Sequence, residues 1–529
     1  MAIGEVTLLP AYEILGRMAS MQILAFLLYF AVVLAIGVYF FVKTKGGGEK
    51  EYFLGGRSMG PWVSAMSAQA SDMSGWLLMG FPGSILAFGM GKVWIGIGLG
   101  LGTILNWVVV AKRLRSFSQA SGDSITLPQY LTNRFASSNP ALKIACAVIF
   151  LIAFTVYVAS GFVAGTNVFV SICPAFQGRE LLAMVIFAAL ILCYTFLGGY
   201  KAVCWPDFFQ GIMMLCALLV VPIAMSATGK FDPACAEAFN VGEFTAKPFG
   251  CNPFAASWNE IVSGFGWGLG YFGMPHILVR FMGIKDPRQV GKSAWIASIW
   301  VLLSLGAAIA IAILGRTYLL DGGEALAKQL LPGSAQQMVF VMIVNNIFPT
   351  FVAGILLAAI IAASMSTADS QLLVASSAFS SDFYQPVVRR NAATDAEMLW
   401  VGRIVVVIVA LVAFYIAASG LGKPGSWASS IMDMVENAWG LFGSAFGPVV
   451  ILSIFWRRFN YAGALAGIIG GAVVDIVCLC NLKDWLGGTY LYEIVPGFVV
   501  GLAIAVAVTL ATKRPGAEVD AIFKKAMSA

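Results

Sequence analysis

Thirteen stretches of mostly apolar residues, each nineteen residues or longer, run through this chain at approximately 22–42, 60–85, 92–111, 141–172, 180–198, 207–227, 258–282, 294–315, 348–380, 401–420, 428–455, 461–482 and 491–512. The hydrocarbon core of a bilayer is about 30 Å thick, takes roughly 20 residues of helix to cross, and tolerates no unsatisfied backbone polar group. Stretches of this length exceed what a barrel strand needs. The expected fold is therefore an all-α integral membrane protein with about thirteen transmembrane helices. Composition agrees, with 60% of the 529 residues hydrophobic and 11% charged. The first stretch follows a leader containing Glu5, Glu13 and Arg17, and its length suits a retained helix rather than a cleaved signal peptide.

Thirteen crossings put the termini on opposite sides, and the basic residues decide which. Alternate loops and the tail after residue 512 hold 23 of the 32 Lys and Arg, with Arg280 counted among them. This predicts an external amino terminus and a cytoplasmic carboxyl terminus in a bacterial plasma membrane. The net charge of +6 then reads as topology, since it is spread over short loops and forms no face that would engage nucleic acid. Membrane lipid is an expected partner, and no obligatory protein partner is evident.

No GxxxxGK[ST] phosphate loop occurs, no HExxH occurs, and the sole histidine is His276. The chain is not expected to be an enzyme. About seventeen residues follow the last stretch, too few for a signalling or nucleotide-binding module, which leaves a transporter-like sensor as a remote alternative. Nine cysteines follow no metal-ligand spacing. Cys235 and Cys251 bracket a polar insertion placed outside, where a disulfide and a reduced pair are both compatible with the sequence.

Three interruptions of the apolar pattern carry the functional reading. "SAQASDMSGWLLMG" (67–80) places Asp72 halfway along the second stretch, with hydroxyls around it and Ser74–Gly75 just after. An Asp at the centre of a membrane helix costs about 2.5–3.5 kcal/mol on insertion scales, so such groups line cavities or ion paths. "GFGWGLGYFGMPH" (264–276) carries five glycines before Pro275 in the seventh stretch. Discontinuous helices at corresponding positions of two halves point to a midplane binding site. "AASMSTADSQ" (362–371) adds adjacent hydroxyls at Ser366 and Thr367, with Ala363 on the same helical side, an oxygen-only set suited to a hard cation such as Na⁺. Protons remain an alternative if Asp72 titrates. The glycine ladder Gly96, Gly98, Gly100 and Gly102 reads as close helix packing, and Asp475 reads as a carboxylate reaching the external interface.

With these motifs, "FLGGRSMGPW", "YTFLGGYKAV", "WGLGYFGMPHILVRFM" and "ENAWGLFGSAFGPVV" make the chain, over residues 21–460, resemble the sodium/solute symporters, and their bacterial proline-carrying members in particular. The resemblance implies a five-plus-five inverted-repeat, leucine-transporter-like core. It divides the chain into an amino-terminal part and first peripheral helix (1–59), a first repeat (60–227), an external loop (228–257), a second repeat (258–455) and two peripheral helices with a short tail (456–529). It implies Na⁺-coupled symport of L-proline by alternating access, with another amino acid or a monocarboxylate as the alternative solute. The implied sodium ligands are the carbonyls of Ala70, Met73 and Ala363 with the hydroxyls of Ser366 and Thr367. Asp72 and Ser74 fall at positions linked to sodium and solute binding, and Arg57 at one hinting at coupling, with lipid anchoring as its alternative. Asp207, with Asp369 and Ser370, would form a second sodium site. Trp267, Tyr271, Met274, Pro275 and Tyr157 match solute positions, with membrane packing as the alternative for Tyr157. Two residues depart from the family pattern: Met274 stands where Gln is typical, which leaves the exact solute open, and Pro206 stands where Thr is expected before Asp207.

Overall fold

The computed structural model describes residues 11–44, 49–197, 199–228, 252–321, 335–390 and 392–528; Cys235 and Cys251 lie outside them. The described residues carry ten helices long and apolar enough to cross a membrane. They are α1 (Ala11–Thr44), α3 (Val93–Leu105 continuing to Ala120), α4 (Ala141–Ile172), α6 (Tyr200–Ala227), α8 (Val290–Asp321), α9 (Thr350–Ser377, continuing to Val388), α10 (Asp395–Ser419), α11 (Ile431–Phe455), α12 (Tyr461–Trp485) and α13 (Ile494–Ala511). The remaining expected crossings are α5 (Glu180–Leu197) and two interrupted helices. These are α2 (Pro61–Asp72, then Trp76–Gly80 continuing to Phe88) and α7 (Trp258–Gly270 and Pro275–Met282), whose breaks deny them a single long apolar run. The expected count of thirteen therefore holds approximately. A last helix, α14 (Ala517–Met527), lies beyond the membrane segments.

The packing repeats with a pseudo-twofold. The first half of α2 lies against α6 and α8, and the first half of α7 lies against α11 and α3, the equivalent partners five helices away. Helices α4 and α9 pack on each other across the pseudo-axis. The most apolar windows of α9 and α11 are 83% buried, against 22% for α1 and 33% for α13, so the core lies along α9 and α11 and the peripheral helices face lipid.

Glycine lets α3 and α7 touch backbone to backbone. A Cβ on Gly98 would lie 2.2 Å from the Gly264 carbonyl oxygen, and one on Gly102 would lie 2.4 Å from that of Gly268. The ladder is thus a packing seam, as the sequence indicated. Gly264, Gly266 and Gly268 do not break α7, which stays helical to Gly270. Its start is fixed by a capping box, Ser257 with Glu260.

Loops that the charge pattern assigned to one side do meet on one face. The backbone of Met59 pairs with Gly283 and Lys285 (N–H···O 3.3 and 3.1 Å), which ties the entry of α2 to the exit of α7. On the opposite face, Trp94 Nε1 donates to Pro253 O (2.9 Å) and Gln337 Nε2 to Ser429 O (3.3 Å).

Candidate ion and solute site at the two helix breaks

The first half of α2 ends at Asp72, and Met73 leaves the helix with φ −84° and ψ 77°. Beyond the break, the Leu77 N–H bonds to Ser74 O (3.0 Å), one residue past Met73. The Asp72 carbonyl accepts from the Ser74 N–H (3.0 Å), Tyr157 Oη (3.1 Å) and Trp76 Nε1 (3.2 Å), so side chains replace the interrupted ladder. Gly75 is required here, because a Cβ would fall 2.6 Å from that of Ala164 on α4. Tyr157 is thus a partner of the break and not a membrane-packing residue.

Opposite the break, the Ser366 hydroxyl of α9 donates to Ala70 O (2.7 Å) and lies 3.2 Å from Ala363 O. Thr367 Oγ1 lies 3.5 Å from Ala70 O. Four of the five expected sodium ligands therefore share one buried cluster bridging α2 to α9, and Met73 caps the same half-helix. A hydroxyl can rotate its hydrogen away and present a lone pair, so this oxygen set fits a small hard cation.

The second half of α7 begins at Pro275, which stands at its first turn with Met274 as the preceding cap residue. Proline there is pre-organised for the start of a helix. It initiates the second half-helix and so bounds the interruption between Gly270 and Pro275. Tyr271 Oη donates to Asp72 Oδ2 at 2.6 Å, joining the two breaks directly, while Asn106 Nδ2 on a wide turn of α3 donates to Tyr271 O (2.9 Å). Trp267 and Tyr271 are almost fully buried. Both pack on Trp439 of α11, with ring centroids 6.4 and 5.0 Å away, and Trp439 Nε1 donates to Trp267 O (2.7 Å). Met274 is fully buried.

Asp207, Asp369 and Ser370 do converge, but around an arginine. Arg280, fully buried on the second half of α7, donates to Asp207 Oδ2 (3.3 Å), Ser67 Oγ (3.2 Å) and Ser370 Oγ. Ser67 in turn donates to Asp207 Oδ2 (2.6 Å). Asp207 Oδ1 and both carboxylate oxygens of Asp369 are buried without a hydrogen-bond partner among the described residues. Two carboxylates thus face one guanidinium. Arg280 was counted with the loop charges; the half-helix is only eight residues long, so position 280 still lies inside the protein.

The model of the Sodium:solute symporter family matches residues 52–471. The chain belongs to this family. Sodium/proline symporters of Staphylococcus aureus strains JH9 and NCTC 8325 are 39% identical over 510 residues, covering 94% of this chain and 94% of each of theirs. Among solved structures, a Na⁺-coupled sialic acid symporter in a substrate-bound outward-open state matches with a TM-score of 0.72 at 18% identity, covering 94% of this chain and 99% of that one. MhsT in complex with L-phenylalanine matches with a TM-score of 0.53 at 12% identity, covering 85% and 98%. At such identities these structures speak for the fold, which is the five-plus-five core.

Arg57 of this symporter lies at the entrance of α2, where the sequence reading put it, and Asp475 lies where that reading did not. Arg57 is 7% exposed and donates to Asp123 Oδ1 (2.7 Å), Ser118 Oγ (3.2 Å), Ser124 O (2.8 Å) and Met282 O, so it is a bolt between loops and not a lipid anchor. Asp475 is 1% exposed and accepts from Ser444 Oγ (2.7 Å), so it faces α11 instead of the interface. The run Gly56–Gly60 has the G-x-S-x-G spacing of a hydrolase elbow, yet Ser58 Oγ only bonds Gly55 O (2.7 Å) in a helical loop. Trp439, Asn106 and Arg280 were missed as site residues; the quoted "ENAWGLFG" and "PHILVRFM" runs were the available signals for Trp439 and Arg280, and no quoted run contains Asn106.

Proposed function

We propose that this chain carries L-proline into the cell together with Na⁺ by alternating access. The observation that carries this reading is the oxygen cluster of Ala70, Ala363, Ser366 and Thr367 bridging the broken α2 to α9. The near full-length similarity to sodium/proline symporters supports the solute. In this reading Na⁺ is held by those oxygens and the Met73 carbonyl. The solute ring packs beside Trp267, Tyr271 and Trp439, next to Met274, and its carboxylate meets the helix end after Ser74. Residues 60–227 and 258–455 are the two halves whose relative motion exposes the site in turn. The basic loops put the amino terminus outside and the carboxyl terminus in the cytoplasm of a bacterium.

Moving one charge through about 100 mV releases roughly 2.3 kcal/mol. A tenfold Na⁺ gradient adds about 1.4 kcal/mol, so one Na⁺ supports roughly a few-hundredfold accumulation of a neutral solute. The acidic group favours a second reading of the stoichiometry. Arg280 neutralises one of two carboxylates, and the three unpartnered oxygens of Asp207 and Asp369 present the charge complement of one more monovalent cation. We read that cation as a second Na⁺.

Labelled L-proline uptake into proteoliposomes, with other amino acids and monocarboxylates as competitors, tests both points. Sodium-driven accumulation blocked by proline alone is the expected result, with a Na⁺ Hill coefficient near two that falls to one in Asp369→Ala. Transport of another solute moves attention to Met274. A coefficient of one together with pH-driven uptake assigns the extra charge to a proton.

A further inference from the structure

The loop between α11 and α12 reads Trp456-Arg457-Arg458, and the segment before α14 reads Arg514-Pro515-Gly516. Between them lies a cleft of about 600 Å³ lined by Trp456, Arg457, Arg458, Arg514, Ala517 and Asp520. Three guanidinium groups face one carboxylate. That carboxylate is already engaged by Arg457 and by Lys524 (3.2 Å), and the hydrogen bond from Arg457, with the Lys524 charge, holds it down at about 2. Arg458 donates from Nη2 to Leu510 O (3.0 Å) while its Nε is buried without a partner among the described residues. Arg514 forms no ion pair with a described residue. Ordinary topological charges would point apart into solvent, whereas these converge on one concave site with a surplus of two positive charges.

Its margin is apolar and partly exposed, with Arg113 over one face of the Phe455 ring (4.2 Å). Phe455, at the end of α11, is 40% exposed, and Leu510, at the end of α13, is 51% exposed. A ligand with a negative head and a hydrocarbon tail matches both features, because the head meets the arginines and the tail runs along Phe455 and Leu510. Basic pockets at the ends of membrane helices hold lipid phosphates in this way.

We propose that the cleft between the α11–α12 loop and the start of α14 binds the phosphate headgroup of an anionic phospholipid, held by Arg458 and Arg514. Occupancy fastens α14 to the end of α11. Helix α14 in turn grips the end of α3, with Phe523 edge-on to Phe117 (5.2 Å) and Arg134 lying over both rings at 5.1 and 5.5 Å while donating to Ser453 O (3.0 Å). The lipid therefore tightens the face that also carries the Arg57 bolt.

The test is a titration of the full-length protein in neutral micelles with short-chain phosphatidylglycerol, phosphatidylcholine or inorganic phosphate, reading the thermal unfolding midpoint. The expected result is a saturable rise with phosphatidylglycerol alone. Arg514→Gln, an exposed change that leaves folding intact, should weaken the apparent affinity about fivefold, as one arginine contributes about 1 kcal/mol near an anionic surface. Asp520→Asn frees Arg457 and should strengthen it. An equal rise with inorganic phosphate overturns the lipid assignment. An equal rise with phosphatidylcholine, or an affinity unmoved in both variants, overturns the site.

Discussion

Ser366 and Thr367 present the residue-scale test of the ion site. Removing both hydroxyls takes two of the proposed ligands while leaving a helix of similar volume, so Ser366→Ala with Thr367→Ala should raise the Na⁺ needed for half-maximal uptake tenfold or more, about 1.4 kcal/mol. An unchanged requirement removes this cluster from the mechanism. The Tyr271–Asp72 bond is a second target, because hydrogen bonds to charged groups are worth about 1.5–3 kcal/mol and an orphaned buried partner costs more. Tyr271→Phe and Asp72→Asn should each depress solute affinity, and the double variant should fall short of their summed loss. Strict additivity would mean that the bond does no coupling. Asp72, Ser366 and Thr367 were legible in the sequence because polar residues in an apolar stretch are expensive and call for a reason. Arg280 was not, because near the end of an apolar run an arginine reads as a loop charge until the break shows how short the half-helix is.

At the scale of elements, length and hydropathy gave the helices and the two breaks, but not what occupies the space between them. The glycines of α7 illustrate the limit. A glycine-rich run signals either flexibility or close approach, and only the opposing ladder on α3 decides for close approach. The seam makes a sharp prediction. Gly102→Ala would put a methyl group 2.4 Å from the Gly268 carbonyl oxygen, whereas Gly100→Ala meets only Leu305 Cδ1 at 3.7 Å, an ordinary contact. Overpacking of this kind costs about 1–3 kcal/mol. Thermal unfolding in detergent should therefore show Gly102→Ala clearly destabilised and Gly100→Ala close to the parent. Equal behaviour of the two would mean that the helices separate freely. Asp475 shows the complementary limit, since the helix on either side of it, Tyr461–Trp485, cannot reveal that Ser444 waits opposite it.

For the whole molecule, the question is what keeps the face with the Arg57 bolt shut. Arg57 sits at φ +53° after two glycines also at positive φ, an unfavourable conformation for a side-chain-bearing residue. Its four acceptors, spread over α3, the following loop and the end of α7, offset that cost. The salt-bridge partner Asp123 is the exposed and replaceable member of the set. Burial pushes the Asp123 carboxyl up, but hydrogen bonds from Lys50 and Arg57 outweigh it and leave the group below its ordinary 3.8. A depressed value means that the contribution is fully present above 3.8 and is lost only as pH falls through the lower folded value. Closure should therefore be indifferent to pH between about 5 and 8. Asp123→Asn, in contrast, removes a charged but solvent-screened partner, worth about 1 kcal/mol, and should raise the open population roughly fivefold. Pulsed electron resonance between spin labels at positions 58 and 285, which flank the Met59–Ile284 bridge, reads that population directly. A wild-type distance distribution that broadens between pH 8 and 5, or one that Asp123→Asn leaves unchanged, would move the bolt from Arg57–Asp123 to the backbone pairing of Met59 with Gly283 and Lys285, which no side-chain substitution at position 123 can loosen.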